Sequence, residues 1–223
     1  MKSIHREWPG TFLVLALVLS ACTSVHKPSG YLSDYSQLEE GKNFKQEYRA
    51  SDADFAKYTK VKVEPVELRF FENTHLEYTD EDIRHLSASL KESLEKRLAK
   101  KYQVLGMTEQ PDGQTLVVHP ALIYATSPER VVNGLTFWLI GFQFSKGAVA
   151  FEAKLTDGGN GKELAVVTEQ RKGGGGLADI KSLLIGGFFR FIHAEGAFNQ
   201  WGKNLVKLTT SETADPSDTG KTS

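Results

Sequence analysis

The chain holds one thiol, Cys22, and it is the side chain whose surroundings best prepare it for covalent chemistry. It directly follows Leu19-Ser20-Ala21, at the end of an apolar run from Phe12 to Leu19 that starts behind the cations Lys2 and Arg6. A lone cysteine cannot close an intramolecular disulfide, so its chemistry must be of another kind. Elsewhere the residue types are present but the spacing is not. His5, His26, His75, His85, His119 and His193 form no pair at metal-ligand spacing. Gly-x-Ser-x-Gly is missing, so no serine sits in a nucleophile elbow. Gly158-Gly159-Asn160-Gly161-Lys162-Glu163 lacks the first glycine of a phosphate loop, where Thr156 stands, and Glu163 replaces the hydroxyl that would hold magnesium. A hairpin turn explains it better. Four glycines at 173–176 could offer amides to an anion at a helix start, yet a flexible hinge is the better reading. Glu39 with Glu40, and Asp80 through Asp82, read as solvated or capping charge. No catalytic residue, metal ligand or cofactor is expected, and the chain reads as non-enzymatic.

The elements around Cys22 say more. An apolar run of this length falls far short of the roughly 20 residues a spanning helix needs, but it suits the core of a signal peptide. Leu19-Ser20-Ala21-Cys22 resembles the bacterial lipobox. That resemblance implies cleavage after Ala21, a signal peptide over residues 1–21, and diacylglycerol on the Cys22 sulfur. Each buried methylene contributes roughly 0.8 kcal/mol, so two or three acyl chains would hold the protein at a membrane against dissociation. Thr23, rather than aspartate, follows the cysteine. Under the familiar sorting rule this implies the outer membrane, periplasmic face, with the inner membrane as the lesser alternative.

Composition fits one domain behind such an anchor. The 223 residues are 40% hydrophobic and 25% charged, a globular balance. Losing Lys2, Arg6 and Glu7 with the leader lowers the formal charge from -1 to -2. That charge disfavours nucleic acid as a partner. Residues 22–55 are polar, with Pro28 and Gly30 early, and read as a lipidated tether and a wrapped segment. Residues 209–223 contain no aliphatic residue larger than alanine and read as a disordered tail.

Between them, residues 56–208 carry regular patterns. Val61 and Val63 alternate with charge, and the phase slips at Glu64-Pro65 before Val66, Leu68 and Phe70. Thr79 with Asp82 starts a helix on which Ile83, Leu86, Leu90, Leu94 and Leu98 recur. Tyr102 to Met107 predicts a short strand, and Thr115 to Ala125, apolar on both parities, a central one. Val149, Phe151, Ala153 and Leu155 alternate with Glu152, Lys154 and Thr156, a half-buried antiparallel pattern. Leu164, Val166 and Val167 return after the glycine turn. Phe188, Phe191, Ile192, Phe198, Trp201, Leu205 and Leu208 share one helical stripe. The expectation is an α+β fold, β-α-β-β-β-β-α, with two helices on one face of a mainly antiparallel sheet.

Several segments together resemble a family. Ser29-Gly30-Tyr31-Leu32-Ser33-Asp34-Tyr35-Ser36-Gln37-Leu38 follows the cysteine closely, and residues 58–66 open the sheet. Residues 147–157 and 161–167 make a hairpin, and Trp201-Gly202-Lys203-Asn204-Leu205 sits in the last helix. These are similar to the bacterial lipoproteins grouped as domain of unknown function 3313. The resemblance supplies an address and a fold but no catalytic residues. At fold level the strand order is also similar to the amino-terminal domain of TolB and to the core of the curli secretion lipoprotein.

Two apolar runs, residues 135–144 and 183–192, exceed what surface connectors carry. Either they pack into the core, or Phe137, Trp138, Leu139, Phe142 and Phe144 form an interaction patch. Three readings follow for the domain. It docks another envelope protein or a second copy of itself, it carries an apolar lipid or glycan near 135–144, or it is a hydrolase with an unrecognised site.

Overall fold

The computed structural model describes residues 28–72, 78–126, 148–172 and 192–210. The fold is α+β, as the patterns predict. The elements are β1 (Glu39–Glu40), β2 (Gln46–Arg49), β3 (Lys60–Val63), α1 (Asp80–Leu98), β4 (Gln103–Val104), β5 (Thr115–Thr126), β6 (Ala148–Asp157), β7 (Glu163–Lys172) and α2 (Ile192–Leu208). One seven-stranded sheet runs in the order β1-β2-β7-β6-β5-β3-β4. Pairing is antiparallel except at β3, which lies parallel to both β4 and β5. Two strands, β1 and β2, were not expected; both are short and polar, and the apolar alternation that marks a strand is missing from them. The phase slip at Glu64-Pro65 is real. Beyond β3 the chain keeps only isolated bridges to β5, Glu67 to Ala121 and Glu72 to Tyr124.

Both helices lie on one face. Thr79 closes a reciprocal cap with Asp82: its Oγ1 accepts from the Asp82 amide at 3.2 Å, and the Asp82 carboxylate accepts from the Thr79 amide at 2.9 Å. Leu86, Leu90, Leu94 and Leu98, four apart, are all buried, and such burial stabilises by roughly 1.5–3 kcal/mol for each side chain. On α2 the buried positions are Ala197, Phe198, Trp201, Leu205 and Leu208. Phe188 and Phe191 of the expected stripe lie outside the described residues. Trp201 stacks on Phe151 of β6 with ring centroids 4.8 Å apart, and Phe198 packs beside it at 5.5 Å.

The Trp201-Gly202-Lys203-Asn204-Leu205 motif is where α2 meets its neighbours. Gly202 lets the helices touch: a Cβ there would meet the Arg97 Cβ at 2.8 Å and the Ser93 carbonyl at 3.1 Å. Asn204, nearly buried, donates to the Asn43 carbonyl and so ties α2 to the segment before β2.

Candidate functional site

The opposite face of the sheet departs from the sequence expectation. Glu152 and Lys154 alternate with core residues on β6, which predicts that they face water. Instead Glu152 is 0% exposed. A buried carboxylate is costly unless hydrogen bonds replace its hydration, and the amino-terminal segment supplies them. Ser29 Oγ and the Tyr35 hydroxyl both donate to Glu152 Oε2 at 2.9 Å. Each hydroxyl also accepts from the segment's own backbone. Tyr31 N–H reaches Ser29 Oγ at 3.0 Å, while Gly30 and Leu32 N–H groups reach the Tyr35 oxygen at 3.1 and 3.2 Å. Gly30 sits at φ 86°, in the left-handed region that favours glycine. This tight turn is therefore folded around one tyrosine hydroxyl and fastened to the sheet through one glutamate.

Tyr31 extends the strap. Its hydroxyl donates to the His119 carbonyl at 2.8 Å, its ring meets Phe70 edge-on at 5.8 Å, and the Lys154 ammonium lies 4.8 Å from its centroid. Burial, with Glu67 and Glu152 adding negative charge, pushes the Tyr31 hydroxyl far above its ordinary range, so it stays a donor at any physiological pH. Ala121, Ile123 and Ala150 form the small apolar floor beneath Tyr31, Phe70 and Tyr124. His119 Nε2 lies 3.0 Å from Thr156 Oγ1, and burial depresses its pKa. The arrangement fastens the segment to the sheet, and sequence reasoning missed it because Ser29 and Glu152 lie more than a hundred positions apart. The strap does carry the leading family motif, which was the one available signal.

At the other end of the strands, the glycine cluster is a turn. Gly161 has φ 72° and its amide donates to the Asp157 carbonyl at 2.8 Å. A Cβ at Gly158 would meet the carbonyls of Asp112 and Thr115 at 2.8 Å, so the preceding loop packs where a side chain would stand. Asp157, 4% exposed, accepts from Lys57 Nζ at 2.6 Å and the Tyr58 hydroxyl at 2.8 Å, with Gly159 and Asn160 amides on its second oxygen. These contacts, Lys57 first, hold its pKa at about 2. Among the described residues no three His, Cys, Asp or Glu side chains come together as a metal site.

The residues singled out from sequence mostly fall elsewhere. Leu19, Ser20, Ala21 and Cys22 lie outside the described residues, as do Phe137, Trp138, Leu139, Phe142 and Phe144. What is described is where the connections that carry those runs leave the sheet. Thr126 pairs with Ala148, and Ala148 with Lys172. The end of β5, the start of β6 and the end of β7 therefore stand side by side. The connection carrying residues 135–144 and the one carrying 183–192 both depart from that row. Among the described residues the exposed large hydrophobic is Met107, at 73%. No helix among them is long and apolar enough to cross a membrane.

Comparison with known proteins gives one firm result. A family model described as "Protein of unknown function (DUF3313)" matches residues 27–205, the family that the sequence motifs resemble. No curated protein matches. Among solved structures the chain is similar to a PelC dodecamer from Paraburkholderia phytofirmans, with 13% identity, 71% of this chain and 95% of that chain covered, and a TM-score of 0.39. It is similar to lipoprotein GNA1162 from Neisseria meningitidis, with 14% identity, coverage of 56% and 91%, and a TM-score of 0.32. It is also similar to a minor lipoprotein from Acinetobacter baumannii, with 12% identity, coverage of 68% and 94%, and a TM-score of 0.27. Likenesses this weak assign nothing to the chain.

Proposed function

The chain belongs to DUF3313, and from that premise we propose that it is a non-enzymatic bacterial envelope lipoprotein. Acyl chains on Cys22 hold it to the outer membrane, and its domain docks other envelope components from the periplasmic face. The observation that carries the anchor is Leu19-Ser20-Ala21-Cys22 at the end of an apolar signal core. The acyl chains alone supply ample membrane affinity, at roughly 0.8 kcal/mol for each buried methylene. Mass spectrometry of the mature amino terminus tests this. An acylated Cys22 is the expected result, and an unmodified terminus starting elsewhere overturns the reading.

Docking is supported by the composition of the apolar runs. Met107 is the large hydrophobic exposed on the described surface, and the row Thr126–Ala148–Lys172 gathers at one end of the sheet the strand ends from which the two connections carrying these runs depart. An apolar run standing exposed at that end of the sheet would mark an interaction site. Crosslinking in intact cells, repeated with Trp138 and Phe142 replaced by polar residues, is the discriminating experiment. Docking predicts discrete protein adducts that disappear from a folded variant. A variant that unfolds makes the run core, and copurified lipid or glycan in place of adducts makes the protein a carrier.

A further inference from the structure

We propose that the strap side of the sheet faces the bilayer and the helix layer faces away from it, with the Ser29–Tyr35–Glu152 fastening setting that orientation. The inference rests on lipidation at Cys22 and adds to it a direction. Its argument is one of length. The seven steps from Cys22 to Ser29 span at most about 25 Å when fully extended. Ser29 is not free to swing, because its hydroxyl is bonded to Glu152. Glu152 lies on β6, the fourth of the seven strands, so the strap is fastened at the middle of the sheet.

For the helix layer to lie on the membrane, the tether would have to pass around the sheet. At the level of Glu152 one edge lies past Thr168, Gln46 and Glu40, three strand spacings or about 14 Å away, and the other past Ala121 and the bridged Glu67, two spacings or about 10 Å. Leaving over the nearer strand end, from Glu152 past Ala148, takes about 13 Å. Each route then needs about 15 Å more to clear the helices that cover the other face. Every route takes up the whole of the tether drawn taut, or more, and leaves no length for Cys22 to reach a bilayer on that side. The direct route, outward from the strap, needs none of this detour. The same geometry keeps the domain close: a fastening at Ser29 leaves seven residues of slack, whereas a strap detached to Gln46 would more than triple it.

The test uses the full acylated chain in vesicles of phosphatidylethanolamine and phosphatidylglycerol that carry a headgroup-linked fluorescence acceptor. Because the Cys22 sulfur is taken by lipid, one introduced thiol accepts the donor dye. Ser33→Cys marks the strap and Glu92→Cys marks α1; both positions are exposed. With a short-range dye pair, position 33 should transfer at least about twofold more efficiently than position 92, because a full sheet-and-helix thickness separates them. A flexible glycine-serine insert of about 20 residues between Lys27 and Pro28 should bring the two efficiencies together, because a coil of that length reaches around the domain. Equal or reversed efficiencies with the native tether overturn the orientation while leaving the anchor intact. An unacylated terminus by mass spectrometry overturns the anchor itself, and the orientation falls with it.

Discussion

The two faces of this sheet are held by different physics. The helix face is dry and interlocked: Trp201 stacks on Phe151, four leucines of α1 are fully buried, and Gly202 brings the helices to backbone contact. The strap face is a polar seam, in which a buried carboxylate and two hydroxyls hold a turn-rich segment with little regular secondary structure of its own. Dispersion and apolar burial are summed over many atoms and tolerate no gap. A hydrogen-bonded fastening concentrates its effect in a few atoms, each costly to leave unpaired.

The comparison breaks most clearly at Trp201. Trp201→Ala removes the largest ring in the core and should cost about 3–5 kcal/mol in urea unfolding. If the loss were under about 1 kcal/mol, the helix face would not be the part that stabilises the domain. Glu152→Ala leaves the Ser29 and Tyr35 hydroxyls without their acceptor, at about 1–3 kcal/mol. Here the form of the loss matters more than its size. Limited proteolysis should cut first within residues 28–38 while α1 and α2 stay protected. Simultaneous loss of both regions would mean that the two faces are one cooperative unit.

A smaller effect sharpens the helix side alone. Thr79→Ala opens the reciprocal cap with Asp82 and should cost about 1 kcal/mol, leaving strap proteolysis unchanged. The smallest is a pH effect at the turn end. Asp157 is depressed from 3.8 to about 2 by Lys57 and Tyr58, so its contribution is present above pH 4 and is lost as pH falls through about 2. Asp157→Asn should flatten the acid limb of a stability–pH curve between those values. An unchanged limb would show that these contacts do not bias folding.

The helix face was legible because its signals are local. Leucines four apart, a threonine with an aspartate three residues on, and aromatic residues on one stripe each declare themselves within a few turns. The glycine turn was legible as a turn, although the reason for Gly158, the loop at Asp112–Thr115 packed against it, was not. The strap face was illegible for the same cause. Alternation on β6 places Glu152 toward solvent, and only a segment more than a hundred residues earlier covers it. β1 and β2 escaped because Glu39–Glu40 and Gln46–Arg49 lack apolar alternation, and pairing with β7 rather than local pattern makes them strands. The motif from Ser29 to Leu38 was recognised as a family resemblance before it had a physical role.

The most direct measurement is fractionation of cells that express wild-type protein or Cys22→Ala. Acyl anchoring predicts that the wild type sediments with membranes and that the variant, carrying the same domain, is released to the soluble fraction. A Cys22→Ala protein that has lost residues 1–21, by mass spectrometry, and still sediments as the wild type does would contradict the account, and the domain's own surface would then have to hold it there.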